Sequence, residues 1–380
     1  MDYDLMISQC NEHNEINLIL SKKMNIKKII IICQPNKKEK LNYIKKVYTK
    51  FLPDCIVLDS IIEEGNCAKI INLLEKYKNN KVLINLNNDS QINSFILLNE
   101  AYKYDMRCIY IDLVNKKRYI FEKGVEVIEE ILEDINIEVM AEFSGNKISN
   151  DDEELASRQD LIEISKTICK NLELWKAHKN KLFDKNIMVH SKINDRELCI
   201  NIDKLNSSEL KLLEIIIKKL KILKEIDYKK YENKVYIEFQ NDYFKTFIFK
   251  IGTWLEVLTH TVMREIKDID EVKNSVKFYW NLDNKQIKNE LDVLAIKDCI
   301  MICISCKDSN RYDEEALNEL EVYSEKIGGE DAIKVLVATD YPKKSSVTER
   351  AKEMGIHLVI VDEDIKEFKN KLIRIIEKKQ

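Results

Sequence analysis

The run Lys28-Ile29-Ile30-Ile31-Ile32-Cys33 limits the fold more than any other stretch of the chain. A strand with one wet face alternates apolar and polar residues. A strand without alternation is covered on both faces, as in parallel sheets packed between helices. The flanking pattern agrees. Strand-like runs at residues 5–7, 55–58, 81–86 and 108–112 alternate with helical periodicity at 15–24, 38–51, 67–77 and 91–104. This predicts a doubly wound α/β domain reaching to about residue 121. In such sheets ligands bind beyond the carboxyl ends of the strands. Two polar loops lie there: Ser8-Gln9-Cys10-Asn11-Glu12-His13-Asn14, and Asn85-Leu86-Asn87-Asn88-Asp89-Ser90-Gln91. The second enters a helix N-terminus, whose free N–H groups suit a phosphate. Asp89 or Ser90 is equally a good N-cap for that helix, and capping and binding are compatible. There is no GxGxxG and no GxxxxGK[ST], so dinucleotide and P-loop sites are not supported.

Beyond residue 125 the pattern changes. An acidic helix-like run at 127–134 precedes a strand-like run at 137–143 and a charged break at Asp151-Asp152-Glu153-Glu154. Residues 155–178 read as one long amphipathic helix carrying Trp175 and a lone His178, a surface or packing residue. A second helix starts at Ser207-Ser208, and Lys218, Lys219, Lys221, Lys224, Lys229 and Lys230 follow as a basic cluster. That cluster is either a solvated face or a strip facing nucleic acid. Residues 235–239 and 244–251 are expected to pair as a hairpin around Asn241-Asp242. Next come a helix from Gly252 to about Ile266 carrying Glu256, a strand near 276–279, and two apolar runs at 289–296 and 301–307 joined at Lys297-Asp298. A helix at 313–327 ends in Gly328-Gly329, and strand, helix, strand and helix close the chain. The expected division is residues 1–142, a helical connector at 143–232, and a second α/β domain at 233–380.

The pair of runs at 289–307 carries the chemistry. Strand periodicity puts Glu290 and Asp292 on one face with Leu294, and Ser305 and Lys307 on one face of the partner. Charges on an apolar hairpin cost burial energy. A divalent metal on the carboxylates, with the lysine beside a phosphate, would offset that cost; so would a solvated edge.

Net charge is −4, so no global basic field holds nucleic acid and any such contact needs a local groove. The ten cysteines are scattered, and Cys303 and Cys306 form one CxxC with no second pair. Reduced thiols in a cytoplasmic protein are expected. The start Met1-Asp2-Tyr3-Asp4 is acidic and unlike a signal peptide, and no apolar run approaches membrane-spanning length.

Glu256 on a helix, Asp292 on a strand and Lys307 on the next strand, in that order, resemble the PD-(D/E)xK endonuclease core. Ser305 stands where most members carry Glu or Asp. Ile304-Ser305-Cys306-Lys307 after Asn289-Glu290-Leu291-Asp292 resembles one branch, the CRISPR-associated nucleases with a nucleotide-sensing CARF domain ahead of the nuclease. Ser8, Asn85 and the run Cys108-Ile109-Tyr110-Ile111-Asp112 carry the CARF resemblance, with Asn87-Asn88-Asp89-Ser90-Gln91 replacing the usual Thr-Gly-Gly-Thr-Lys type of loop. The resemblance implies a Rossmann-like CARF domain, a connector and a restriction-endonuclease-like domain. It implies Mg²⁺ or Mn²⁺ on Glu256 and Asp292 with the carbonyl of Ser305 or Cys306. Lys307 would orient water and steady the phosphate, and Glu290 would stand behind Asp292 or replace the missing acid. It also implies a homodimer binding one cyclic oligoadenylate, cyclic tetra-adenylate first among them, at Ser8, Gln9, Asn11, Asn85, Asn87, Asn88, Asp89, Ser90 and Gln91. The activity implied is activated cleavage of DNA or RNA in antiviral defence. The alternative is a nucleotide-sensing regulator with an inactive nuclease domain, which Ser305 favours. Cleavage of the activator by the CARF half is a third possibility, disfavoured by the missing loop lysine.

Overall fold

The computed structural model describes residues 3–11, 14–87, 90–112, 115–129, 135–249, 253–281 and 284–378. The first domain strings together β1 (Leu5–Gln9), α1 (Glu15–Lys23), β2 (Lys28–Cys33), α2 (Lys38–Phe51), β3 (Ile56–Ile61), α3 (Cys67–Lys76), β4 (Val82–Asn85), α4 (Gln91–Lys103), β5 (Arg107–Asp112), β6 (Lys117–Phe121) and β7 (Val125–Glu129). Their sheet order is β3-β2-β1-β4-β5-β6-β7. The first five strands are parallel, and β6 and β7 add antiparallel. The chain reverses its direction of winding between β1 and β4, the kind of switch point where such sheets open a crevice. Isoleucines 29–32 are buried throughout, as their unbroken apolar run requires. Ile30 and Ile32 face the core under α3 and α4, while Ile29 and Ile31 face the side of α1 and α2.

The rest of the chain comprises α5 (Ile137–Phe143), β8 (Lys147–Asn150), α6 (Glu153–Ala156), α7 (Gln159–Cys169), α8 (Leu172–His178), β9 (Met188–His190), β10 (Glu197–Asn201), α9 (Ser207–Ile222), β11 (Ile226–Tyr231), β12 (Lys234–Phe239), α10 (Asp242–Phe249), α11 (Thr253–Arg264), β13 (Glu271–Asn281), β14 (Asn284–Lys297), β15 (Ile300–Lys307), α12 (Glu314–Gly328), β16 (Ile333–Ala338), α13 (Ser345–Glu353), β17 (Ile356–Ile360) and α14 (Ile365–Lys378). A four-stranded antiparallel sheet runs β11-β12-β10-β9, and a six-stranded mixed sheet runs β17-β16-β15-β14-β13-β8. One face of the six-stranded sheet joins the core of α7–α9, α11 and α14. The other face shares a continuous apolar cluster with the first domain. Helix α5 bridges them: Lys50 of α2 pairs with Glu138 and Glu142, and Ser144 Oγ donates to the Ile327 carbonyl at the end of α12 at 3.3 Å. Gly145 follows at φ +78°, and a Cβ there would stand 2.3 Å from the Tyr43 ring of α2.

Several local expectations are corrected. Residues 137–143 are helical because Asn136 caps them, its Oδ1 accepting from Val139 N at 2.9 Å. The expected helix at 127–134 gives way to strand β7 at 125–129, and the remaining residues fall outside those described. The long helix at 155–178 is broken at Lys170-Asn171 into α7 and α8. The expected hairpin at 235–251 does not form. Phe244, Phe247 and Ile248 bury one side of α10 at helical spacing, and β12 pairs with β10 and β11 instead. The stretch 143–232, expected to be a helical connector, therefore also contains sheet. The β14–β15 turn is Asp298-Cys299, one residue later than expected, with φ of 49° and 62°. Two left-handed residues make the tight turn that matches strand twist.

Candidate functional site

Asp292 sits on β14 opposite the end of β15. Its Oδ2 accepts from the Cys306 backbone N–H at 2.6 Å and from Ser305 Oγ at 3.2 Å. Ser305 thus occupies the place expected for a second acid as a donor. Burial raises the pKa of Asp292; the two donors and the Lys307 ammonium pull the other way without cancelling it, and Glu290 adds to the rise. The Cys306 thiol is held well above its ordinary pKa by burial, then by the charges of Asp292 and Glu256, while Lys307 opposes them. Helix α11 supplies the geometry. Thr259, one turn beyond Glu256, lies with its Oγ1 3.6 Å from Cys306 Sγ. A neutral buried thiol is a poor ligand, so the part left for Cys306 in the expected metal set is its carbonyl. Among the described residues, Lys307 makes no ion pair within 4 Å and stays partly exposed at the strand end. Glu290 turns to β13, accepting from Ser275 Oγ and lying 4.0 Å from Lys277 Nζ. Among the described residues no group of three or more His, Cys, Asp or Glu side chains is arranged as a metal centre.

The residues expected to bind a nucleotide divide into two sets. Ser8, Asn11, Asn85 and Asn87 are buried and tied to one another and to the sheet. Asn85 Nδ2 donates to Ser8 Oγ at 3.3 Å and to Asn17 Oδ1 at 2.9 Å, and Asn11 Nδ2 donates to the Asn87 carbonyl at 2.6 Å. Asn87 Oδ1 and Nδ2 bond the Ile111 backbone at 2.8 and 2.6 Å. These bonds tie together the carboxyl ends of β1, β4 and β5, and none of the four residues lines the opening described next. Gln9 and Ser90 face an opening of about 180 Å³ at the carboxyl ends of β1 and β2, shared with Cys10, Ile32, Gln34, Lys37, Glu64 and Asn93. Gln9 is 3% exposed, and among the described residues its Nε2 has no hydrogen-bond partner. Ser90 caps α4, accepting from Asn93 N at 3.3 Å, and donates to Glu64 at 2.6 Å. Gln91 is exposed at the start of α4, and Asn88 and Asp89 lie outside the described residues. Sequence reasoning missed Gln34, Lys37, Glu64 and Asn93. The opening has its lysine, but from the segment after β2, where no motif announces it.

Residues 245–378 match the family model described as the Card1-like endonuclease domain. The C-terminal part of the chain is thus similar to a Card1-like endonuclease domain. No curated protein sequence matches the chain. Among solved structures it is similar to Can2 from Sulfobacillus thermosulfidooxidans in complex with cyclic tetra-adenylate, with TM-score 0.73 and 16% identity, covering 99% of this chain and 98% of that one. It is also similar to protein VC1899 from Vibrio cholerae, with TM-score 0.77 and 19% identity over 97% of each chain. A type III CRISPR defence DNA nuclease activated by cyclic oligoadenylate matches with TM-score 0.56 and 13% identity, over 91% of this chain and 48% of that one. At these identities the likeness is one of fold: a doubly wound α/β domain followed by a part built on a six-stranded mixed sheet. The stretch matched by the Card1-like model holds Glu256, Asp292, Ser305 and Lys307, and the crevice lies in the first α/β domain. No helix among the described residues is long and apolar enough to cross a membrane.

Proposed function

We propose that the chain is a cyclic-oligoadenylate-activated, metal-dependent nuclease of type III CRISPR antiviral defence. The observation that carries this is the Asp292 carboxylate held by Ser305 Oγ and the Cys306 N–H one residue before Lys307, with Thr259 of the Glu256 helix against Cys306, inside a stretch that matches a Card1-like endonuclease domain. Hydrolysis of a phosphodiester needs an in-line water and compensation of charge on the phosphate. Two carboxylates against one ammonium leave the site short of positive charge, and their hard oxygens suit Mg²⁺ or Mn²⁺. Asp292, Glu256 and the Cys306 carbonyl would hold the ion. When bound, the ion supplies neutralisation of the phosphate and a more acidic water. Ser305 and the Cys306 N–H hold the Asp292 carboxylate in a fixed orientation. Lys307, at the mouth of the site, steadies the scissile phosphate and orients the attacking water.

The activator reading rests on the crevice. Gln9 brings a buried, unpartnered amide to it, Lys37 a cation, and α4 an N-terminus. These features suit a phosphodiester ring carrying bases, and Can2 is described with cyclic tetra-adenylate. Beside the crevice, Ile92 and Phe95 on the first turns of α4 are 49% and 65% exposed. Such apolar exposure suits a second copy, giving a homodimer that shares one ring across its two-fold axis.

The test is cleavage of single- and double-stranded DNA and RNA with Mn²⁺ or Mg²⁺, with and without cyclic tetra- and hexa-adenylate. Cutting should need both metal and activator. Lys307→Ala should slow it at least about 100-fold. A Lys307→Ala protein that cuts like wild type would sink the mechanism and favour the regulator with an inactive nuclease domain.

A further inference from the structure

One buried charge has no part in the proposed chemistry. Asp308 directly follows Lys307, and its side chain is 0% exposed. Trp175 Nε1 and Trp254 Nε1 each donate to its Oδ2 at 2.8 Å. Lys179 Nζ donates to its Oδ1 at 2.6 Å and also to its backbone carbonyl. The two indoles meet edge to face, 6.0 Å apart at 74°. Replacing a buried ion pair with well-packed apolar residues is often neutral or stabilising, so stability alone is a weak reason for this cluster. Its place is more telling. Trp254 lies in the first turn of α11, two residues before Glu256. Trp175 lies on α8, and Lys179 just beyond it. One carboxylate thus ties the end of β15, which carries Lys307, to the start of α11, which carries Glu256, and ties both to α8.

We infer that Asp308 is a positioning residue for the nuclease reaction, with Trp175, Trp254 and Lys179 as its clamp. The inference rests on the nuclease reading above and deepens it. Strand ends and first helical turns are where backbone bonding runs out, so side chains there need outside support. Lys307 and Glu256 both occupy such places. Indole N–H groups and a carboxylate add direction as well as attraction, and fully satisfied buried networks are rigid. A misplacement of about 1 Å in reacting groups is enough to cost on the order of 100-fold in rate.

The experiment measures kcat, KM and unfolding temperature for wild type, Trp175→Phe, Asp308→Asn and the double variant Asp308→Asn/Lys179→Met, under activating conditions with metal. Lys307→Ala runs alongside. Trp175→Phe keeps the ring and removes one N–H, so kcat should fall about tenfold with KM little changed. Asp308→Asn leaves the Lys179 ammonium buried without its counter-charge, so activity and unfolding temperature should both drop. Adding Lys179→Met should restore the unfolding temperature but not kcat. Wild-type kcat in Trp175→Phe, or kcat recovering in step with unfolding temperature in the double variant, overturns the positioning role. If the double variant does not fold, Trp175→Phe decides alone. Should wild type cut nothing, the nuclease reading fails and this inference with it; cutting by wild type but not by Lys307→Ala separates that failure from failure of the clamp.

Discussion

Ser305 shows how one side chain changes the electrostatics of a site. As a hydroxyl it donates to Asp292, a carboxylate whose pKa burial already raises. Ser305→Glu would replace that donor with a second buried carboxylate and sharpen the need for a cation. In chelator the variant should lose about 1–2 kcal/mol of stability. Added Mn²⁺ should return it and raise the unfolding temperature more than in wild type, because binding to the native state alone stabilises by mass action. Thermal unfolding in EDTA and in Mn²⁺ checks both. Equal metal shifts in the two proteins would mean that position 305 does not border the ion.

At the scale of elements, a titrating contact links α7 to the turn between α9 and β11. Glu225, between α9 and β11, has its pKa raised by burial and then by its hydrogen bond to Asp160 at the start of α7. Burial also works against ionised Asp160, but the Arg158 guanidinium outweighs it and holds that pKa below the ordinary value. The sign follows. With its folded pKa raised, the contribution of Glu225 is fully present below its unfolded pKa and lost as pH rises through the folded value. Above that folded value two carboxylates therefore face each other. Glu225→Gln keeps a donor to Asp160 and removes one charge. It should stabilise at neutral pH, by less than about 1 kcal/mol because the pair is partly solvated. The gain should vanish as pH falls through the raised folded value, where wild-type Glu225 gains its proton. Unfolding temperatures across that range decide; a pH-independent gain would point to packing instead.

The whole molecule adds a continuous core. The apolar cluster that holds the first domain under α1 and α2 passes α5 into the six-stranded sheet. A change at the crevice therefore has a packed route to the face that carries Lys307. In the proposed dimer, Phe95→Asp should give a monomer by light scattering and lose response to the activator. A Phe95→Asp protein that stays dimeric would remove α4 from the interface. Much of this architecture is legible without coordinates. The unbroken isoleucines of β2, the alternation around them and the β14–β15 hairpin each depend on local spacing, and Glu256, Asp292 and Lys307 stand on elements that such spacing locates. The stretch between 125 and 250 is less legible. Capping by Asn136 and the burial of Phe244 and Phe247 decide helix against strand there, and short apolar runs carry both signals. Sequence by itself determined which segments are strands buried on both faces and which charges sit on a hairpin, since periods of two and 3.6 are properties of the backbone. Only the tertiary structure decided that Lys37 supplies the crevice lysine and that Trp175 reaches Asp308 across 133 residues. Such contacts are set by how whole elements pack, which no local spacing encodes.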